Sequence, residues 1–210
     1  MPRTLLSNEE LQRVRGEAVT AAKRLFAGGG ASALSLRSVA AETGFSTGGL
    51  YRYFPAGRDE ILAAVRIDAF VVLDELLWKA CHSATDPVDG LKRLSDALLR
   101  FATKHETEFA LLFVYTEGDW EAFPELIERS DAAWRPLETV LQQGVDQGIF
   151  EGNARVLARA FYAAMMGMLT VFLSDDPDPL LSMDRLRESL FGLLIRGATP
   201  LSRLVAGTGN

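Results

Sequence analysis

Cysteine is nearly absent from this chain of 210 residues: Cys81 stands alone, which excludes an internal disulfide framework and suits a reducing compartment. Histidine is almost as scarce. Cys81 and His82 are neighbours and so point apart on a helix, and His105 and Glu108 form a single i, i+3 pair with no further ligand beside them. A closed metal site takes three or four such groups, so no metal is expected. No phosphate-binding glycine loop, no nucleophile elbow and no histidine near a suitable acid occurs, so neither a catalytic residue nor a cofactor is expected and the chain does not read as an enzyme. Long apolar runs are lacking too. The N-terminal MPRTLLSNEELQRVR has no signal-peptide core, and no stretch approaches the roughly twenty apolar residues of a membrane span, so a cytoplasmic protein without a membrane partner is expected. Strand-like alternation is nowhere sustained, and neither an internal repeat nor a low-complexity tract is present.

What the chain does have is 48% hydrophobic and 24% charged residues, the composition of a globular protein with a real core. Its net charge of −6 by itself argues against nucleic acid. The distribution reverses that: residues 1–55 hold seven Lys or Arg against four acids, a net +3, which leaves −9 on the remaining 155. A basic head on an acidic body is what groove binding with a separate regulatory part needs.

The decisive stretch runs from Leu34 to Arg58, LSLRSVAAETGFSTGGLYRYFPAGR. Ser35 is placed to cap a helix in which Leu36, Val39 and Ala40 make one apolar stripe, and Gly44 can end it in a left-handed conformation. Ser46 opens a second helix that has only Leu50 and Phe54, at i, i+4, as clear anchors. Thr47, Gly48, Gly49, Tyr51, Arg52 and Tyr53 are left to face outward. Small residues let a backbone come close, and Ser46, Thr47 and Arg52 can donate to phosphates or base edges, which is the logic of a helix-turn-helix. An ordinary helical hairpin is the alternative.

The run LRSVAAETGFSTGGLYRYF, from Leu36 to Phe54 and continued to Leu62, resembles the N-terminal DNA-binding domain of the TetR family of bacterial transcriptional repressors. The likeness is specific over about sixty residues and weak beyond them, as the second domain of that family is diverse. It implies that Arg37 contacts the groove, that Thr47, Gly48 and Gly49 occupy the recognition positions, that Tyr51 and Tyr53 meet backbone phosphates, and that Arg58 replaces a phosphate-binding lysine. The pair Gly48-Gly49 departs from the pattern: each glycine costs about 1 kcal/mol of helix stability and offers no side chain to read a base.

Helical signals alone continue through the rest. Ser7 with Glu10 opens a first helix that closes at Gly28 to Gly30. A long helix runs from Arg58 to about Ala80, and Asp86-Pro87 begins the next. A short aromatic helix over 108–116 and a loop over 118–123 follow. One long helix is expected from Pro124 through Trp134 to Gly148, one from an Asn153 cap to about Ser174, a proline-broken loop over 175–179 and a last helix over 182–196. The expectation is an all-α fold of about nine helices, with a helix-turn-helix head over 7–57, a six-helix body over 58–197 and a loosely ordered tail over 198–210.

In the body Trp78, Phe109, Phe113, Tyr115, Trp120, Trp134, Phe161 and Met165, with Tyr162, Met168 and Phe172, could line an apolar cavity for a small apolar or aromatic effector, or simply fill a core. Phe161, Ala164, Met168 and Phe172 with Leu186, Leu190, Leu193 and Leu194 give the last two long helices more apolar surface than one edge of a bundle needs. In the resembled family those helices form the interface of a homodimer. The expectation is a homodimeric repressor released from palindromic operator DNA by its effector. A regulator answering to a protein partner, a constitutive one, and a helical small-molecule-binding protein without DNA function remain open.

Overall fold

The computed structural model describes residues 7–115, 117–172 and 182–200, all as helices and their connections. Its helices are α1 (Asn8–Gly29), α2 (Leu36–Thr43), α3 (Thr47–Leu50), α4 (Arg58–His82), α5 (Pro87–Lys104), α6 (Glu106–Phe109), α7 (Pro124–Ala132), α8 (Arg135–Asp146), α9 (Ala154–Phe172) and α10 (Met183–Ala198). A 3-10 turn over Ala31–Ala33 follows α1, and α6 widens into a π turn over Ala110–Val114. Among the described residues there is no strand. Among the described residues the helix count is nine if α7 and α8 are taken as one broken helix.

That break corrects the single helix expected from Pro124 to Gly148. Pro136 lies in the first turn of α8 and has no N–H for the carbonyl of Ala132, so the helix restarts across Ala133 and Trp134. The caps, in contrast, sit where the sequence puts them. Ser7, Ser35, Ser46 and Ser182 accept from backbone N–H groups three residues on. Asp86 Oδ1 and Asn153 Oδ1 do the same for the starts of α5 and α9. Gly44, at φ 75°, ends α2 in the left-handed conformation. The expected loop over 175–179, the end of the preceding helix and the tail beyond 200 lie outside the described residues.

Contacts divide the chain into two compact units, 1–72 with 105–131 and 73–104 with 132–210, and α4 supplies residues to both. In the first unit, α1 contributes Val14, Ala18, Ala21, Ala22 and Phe26 to a buried core shared with Leu36, Val39 and Ala40 of α2, Leu50 and Phe54, Ile61, Leu62 and Val65 of α4, and Leu111 of the π turn. Lys23 ties α1 to Asp68 and, at 3.4 Å, to Glu108.

In the second unit α5, α8 and α9 pack closely. A Cβ on Gly90 would come 2.9 Å from Val140, and one on Gly144 only 2.1 Å from the Phe150 ring. Met165, Met168 and Phe161 are buried within this unit, so Met168 and Phe161 are not available to a partner chain as expected, because they point into their own core. The outward face of α9 carries Val156 and Val171, that of α10 Leu193 at 64% exposure. Over Ala154–Val171, α9 is by length and composition alone long and apolar enough to cross a membrane, with a third of that stretch buried. The expectation that no stretch approaches a span is corrected at that point: the helix is apolar on its core face and again on its outer face.

Gly144→Ala is expected to destabilise the fold by about 1 to 3 kcal/mol, since the Phe150 ring must be displaced. Gly16→Ala, in the middle of α1 with nothing within 4 Å of the added carbon, is expected to stabilise by up to about 1 kcal/mol. Thermal unfolding followed by circular dichroism distinguishes the two signs.

Candidate nucleic-acid interface

The second helix of the motif is a single turn. After Leu50 the chain tightens: Arg52 N–H donates to Gly49 O at 3.1 Å and Tyr53 N–H to Leu50 O at 2.9 Å, both i to i−3 bonds. Two adjacent glycines account for this, since neither favours continued helix. Leu50 and Phe54 are both 0% exposed and fasten the turn to the core. Ser46, Thr47, Gly48 and Arg52 are exposed, and Tyr51 is 53% exposed. Nothing lies within 4 Å of a carbon added at Gly48, so the backbone there is open to close approach.

Charge narrows the surface further. Arg13 pairs with Glu17, Arg15 with Glu60, Lys23 with Asp68 and Glu108, and Arg24 with Glu42. Among the described residues 7–58, Arg37 and Arg52 are the exposed cations with neither ion pair nor side-chain hydrogen bond. Arg37 stands on the first turn of α2 and Arg52 at the end of the recognition turn. With Thr47 and Tyr51 they offer two cations, a hydroxyl and a phenol beside an open backbone, the equipment for a phosphate-lined groove.

Two residues expected at phosphates are engaged internally. Arg58, expected to take the place of a phosphate-binding lysine, turns inward: Nε donates to Leu34 O at 2.9 Å, and Nη2 to Ala31 O at 3.1 Å and to the Tyr115 hydroxyl at 2.9 Å. Tyr53 is half-buried and its hydroxyl donates to Glu10 Oε1 at 3.3 Å.

The eight residues expected to line an effector cavity divide between the units. Trp134, Phe161 and Met165 come together in the second unit, with Tyr162, Leu77, Leu94, Leu98 and Leu137, around an apolar space of about 20 Å³. That is room for about one water, and a drug-sized ligand needs several hundred Å³. Trp134 packs on Tyr162 with the rings tilted at 60° and their centroids 4.3 Å apart, and burial pushes the Tyr162 phenol up. Trp78 packs against His82 with the two rings tilted at 47°. Phe109, Phe113, Tyr115 and Trp120 belong to the first unit: Phe109 packs on Phe113, Tyr115 meets Phe26 edge-on, and Trp120 meets Phe70.

Sequence reasoning missed Arg66, which is 1% exposed. Its guanidinium donates to Leu111 O, Tyr115 O and Glu117 O at 3.0, 2.6 and 2.8 Å and lies 4.6 Å over the Trp120 ring. Burial pulls its pKa below the ordinary arginine value, with Tyr115 opposing. The signal was there: Arg66 follows Leu62 and precedes Ala69 and Leu73 at core spacing, where a charge needs buried partners.

A two-helix motif with one exposed, hydroxyl-bearing turn and two free arginines defines a helix-turn-helix DNA-binding protein. The family model for bacterial regulatory proteins of the tetR family matches residues 18–65, and that for the tetracyclin repressor-like C-terminal domain matches residues 91–195. The chain belongs to the TetR family, and it is a transcriptional regulator of that family. Among proteins it is similar to, an uncharacterized HTH-type transcriptional regulator of Bacillus subtilis (strain 168), YfiR, is 25% identical over 158 residues, 70% of this chain and 72% of that one. A protein of unknown function from Rhodococcus sp. RHA1 superposes with a TM-score of 0.75 at 21% identity, covering 95% of this chain and all of the other. The TetR family transcriptional regulator PfmR from Thermus thermophilus gives 0.64 at 25% identity, over 85% and 97%. The family is one of bacterial regulatory proteins, and both the Bacillus subtilis relative and PfmR are described as transcriptional regulators.

Arg37→Ala and Arg52→Ala are each expected to lower the slope of log affinity against log salt by about one on duplex DNA. Arg58→Ala, whose guanidinium is held by internal acceptors, is expected to leave that slope unchanged and to lower the thermal midpoint. Anisotropy titrations across a salt series separate the two behaviours.

Proposed function

We propose that this regulator is a homodimeric, cytoplasmic repressor whose two heads, over residues 7–57, bind a palindromic operator and whose bodies, over 58–197, release it when a small apolar or aromatic effector binds. The observation that carries the DNA half is the exposed face of Thr47, Gly48, Tyr51 and Arg52, with Arg37 exposed on the first turn of α2, since every other described cation of the head is paired with a carboxylate. Thr47, Gly48 and Gly49 bring the backbone close, Arg37 and Arg52 supply charge, and Tyr51 can meet a phosphate. With so few side chains at the recognition positions, discrimination rests on Arg37, Thr47 and the shape of the duplex.

Dimerisation is supported by the outer faces of α9 and α10. Val156, Val171 and Leu193 are exposed, and Leu193 and Leu194 border, with Leu157 and Ala160, an apolar space of about 250 Å³ that reaches the buried Leu91, Leu141 and Phe161. A second copy of these helices would remove that surface from water. The heads of such a dimer must read major grooves roughly 34 to 36 Å apart, or a whole number of turns further.

The effector half rests on Trp134, Tyr162, Phe161 and Met165. Their space is nearly closed, so an effector enters only by moving side chains, Met165 being the most adaptable. Binding must then favour one arrangement of the heads, and by linkage DNA weakens effector binding by the same factor.

Leu190→Arg and Leu193→Arg are expected to yield monomers by light scattering, with operator affinity lowered at least about a hundredfold, since one head then binds alone. Titrating a set of apolar compounds by tryptophan fluorescence, and repeating the DNA assay with each binder, tests the switch. Compounds that bind without changing DNA affinity would overturn it, and Trp134→Ala is expected to reduce the response while DNA affinity stays within a few fold.

A further inference from the structure

The recognition turn is too short to hold its own geometry, and the residues that hold it from behind are Arg15 and Glu60. Arg15 Nη1 donates to the carbonyl of Tyr53 at 2.5 Å and to Glu60 Oε1 at 3.0 Å. The other carboxylate oxygen, Glu60 Oε2, accepts from the N–H of Ala56 at 3.0 Å, and the guanidinium lies 4.6 Å from the centre of the Phe54 ring. One ion pair thus binds α1, the end of the recognition turn, the connection after it and the first turn of α4. Side-chain exposure is 32% for Arg15 and 19% for Glu60, so the pair is shielded on most sides.

We propose that Arg15 and Glu60 are positioning residues for DNA recognition: they set the orientation in which Thr47, Tyr51 and Arg52 meet the groove without themselves contacting DNA. The apolar anchors Leu50 and Phe54 fix how deeply the turn sits, but apolar contact is non-directional. The carbonyl of Tyr53 is the point at which direction is imposed, because a charge-assisted hydrogen bond is short and geometrically demanding. Two glycines in a four-residue helix make that outside restraint necessary, since a single turn does not stabilise itself. The pair also explains why a basic residue of the head contributes nothing to its free charge.

The proposal rests on the recognition turn being the DNA-reading element, and Glu60→Gln separates positioning from charge. Removing an acid from a DNA-binding head strengthens binding if only long-range charge matters. Positioning requires the opposite. The full-length protein is titrated with a duplex it has itself selected from a randomised pool and with a scrambled duplex of the same composition. Glu60→Gln and Arg15→Met are each expected to weaken binding to the selected duplex about tenfold. Binding to the scrambled duplex is expected not to weaken with Glu60→Gln, and the salt slope on the selected duplex is expected to stay at the parent value with Arg15→Met, since no phosphate contact is lost. The double variant is expected to cost no more than the larger single change, as two members of one unit do. Arg15→Lys, which keeps the charge and can reach one acceptor, is expected to recover part of the affinity. Circular dichroism confirms folding at the assay temperature; should Glu60→Gln not fold, Arg15→Met carries the test through its salt slope. Thr47→Ala and Arg52→Ala in the same assay locate a failure. If they weaken binding and the Arg15 and Glu60 variants do not, or if these bind more tightly or additively, positioning is overturned. If Thr47→Ala and Arg52→Ala also change nothing, the recognition turn is not the reader and the proposal falls with it.

Discussion

The seating of Leu50 and Phe54 in the first unit's core is the contact on which the site depends. A four-residue helix containing two glycines lies well below the length at which helix formation sustains itself in water. It exists because two side chains, one turn apart, are withdrawn from solvent among α1, α2 and the first turns of α4. That burial leaves the opposite side of the turn no core to join, so Thr47, Gly48, Tyr51 and Arg52 face outward as a consequence. Presentation of this exposed face and completion of the core are one event.

Charge in this unit is organised as much for cohesion as for binding. Arg15, Lys23 and Arg24 are matched to carboxylates on other helices, and Leu111, Tyr115 and Glu117 are held by arginines that have no carboxylate of their own. Arg66 takes up carbonyls at the end of a helical segment, where a helix always leaves acceptors over, and Arg58 takes up two more around the turn before α2 together with the Tyr115 hydroxyl. Tyr115 also meets Phe26 of α1 edge-on. One phenol therefore links α1, α4 and the π turn inside a single unit, so a shift of the π turn would be felt at the turn before α2.

The second unit follows a different rule. Glycines at 90 and 144 allow α5, α8 and the Phe150 ring to approach closely, and the aromatic cluster around Trp134 and Tyr162 is nearly filled. Its apolar surplus lies on the outside, along α9 and α10.

Legibility in the sequence followed the range of the interaction. The caps at Ser7, Ser35, Ser46, Asp86, Asn153 and Ser182, the glycine stop at 44 and the all-α class were readable because a cap or a helical stripe is decided within four residues. The DNA-binding motif was readable for the same reason: its turn and its two anchors are contiguous. Pro136 was a local signal too, outweighed by the apolar stripe that runs through it. What could not be read were the destinations of long side chains. Arg15 reaches Tyr53 and Glu60, Arg58 reaches Ala31 and Tyr115, Arg66 reaches Leu111, and each partner is many residues distant. The eight aromatic and methionine positions look alike in sequence, yet they fall into two separate units, and Met168 points into its own core. Periodicity says that a residue is apolar and on a face; only the packing of the other helices decides what that face meets. The chain by itself thus determined which segments are helical and which turn is exposed, while the tertiary structure alone decided which charges are free, because pairing depends on distances that the backbone closes only when it folds.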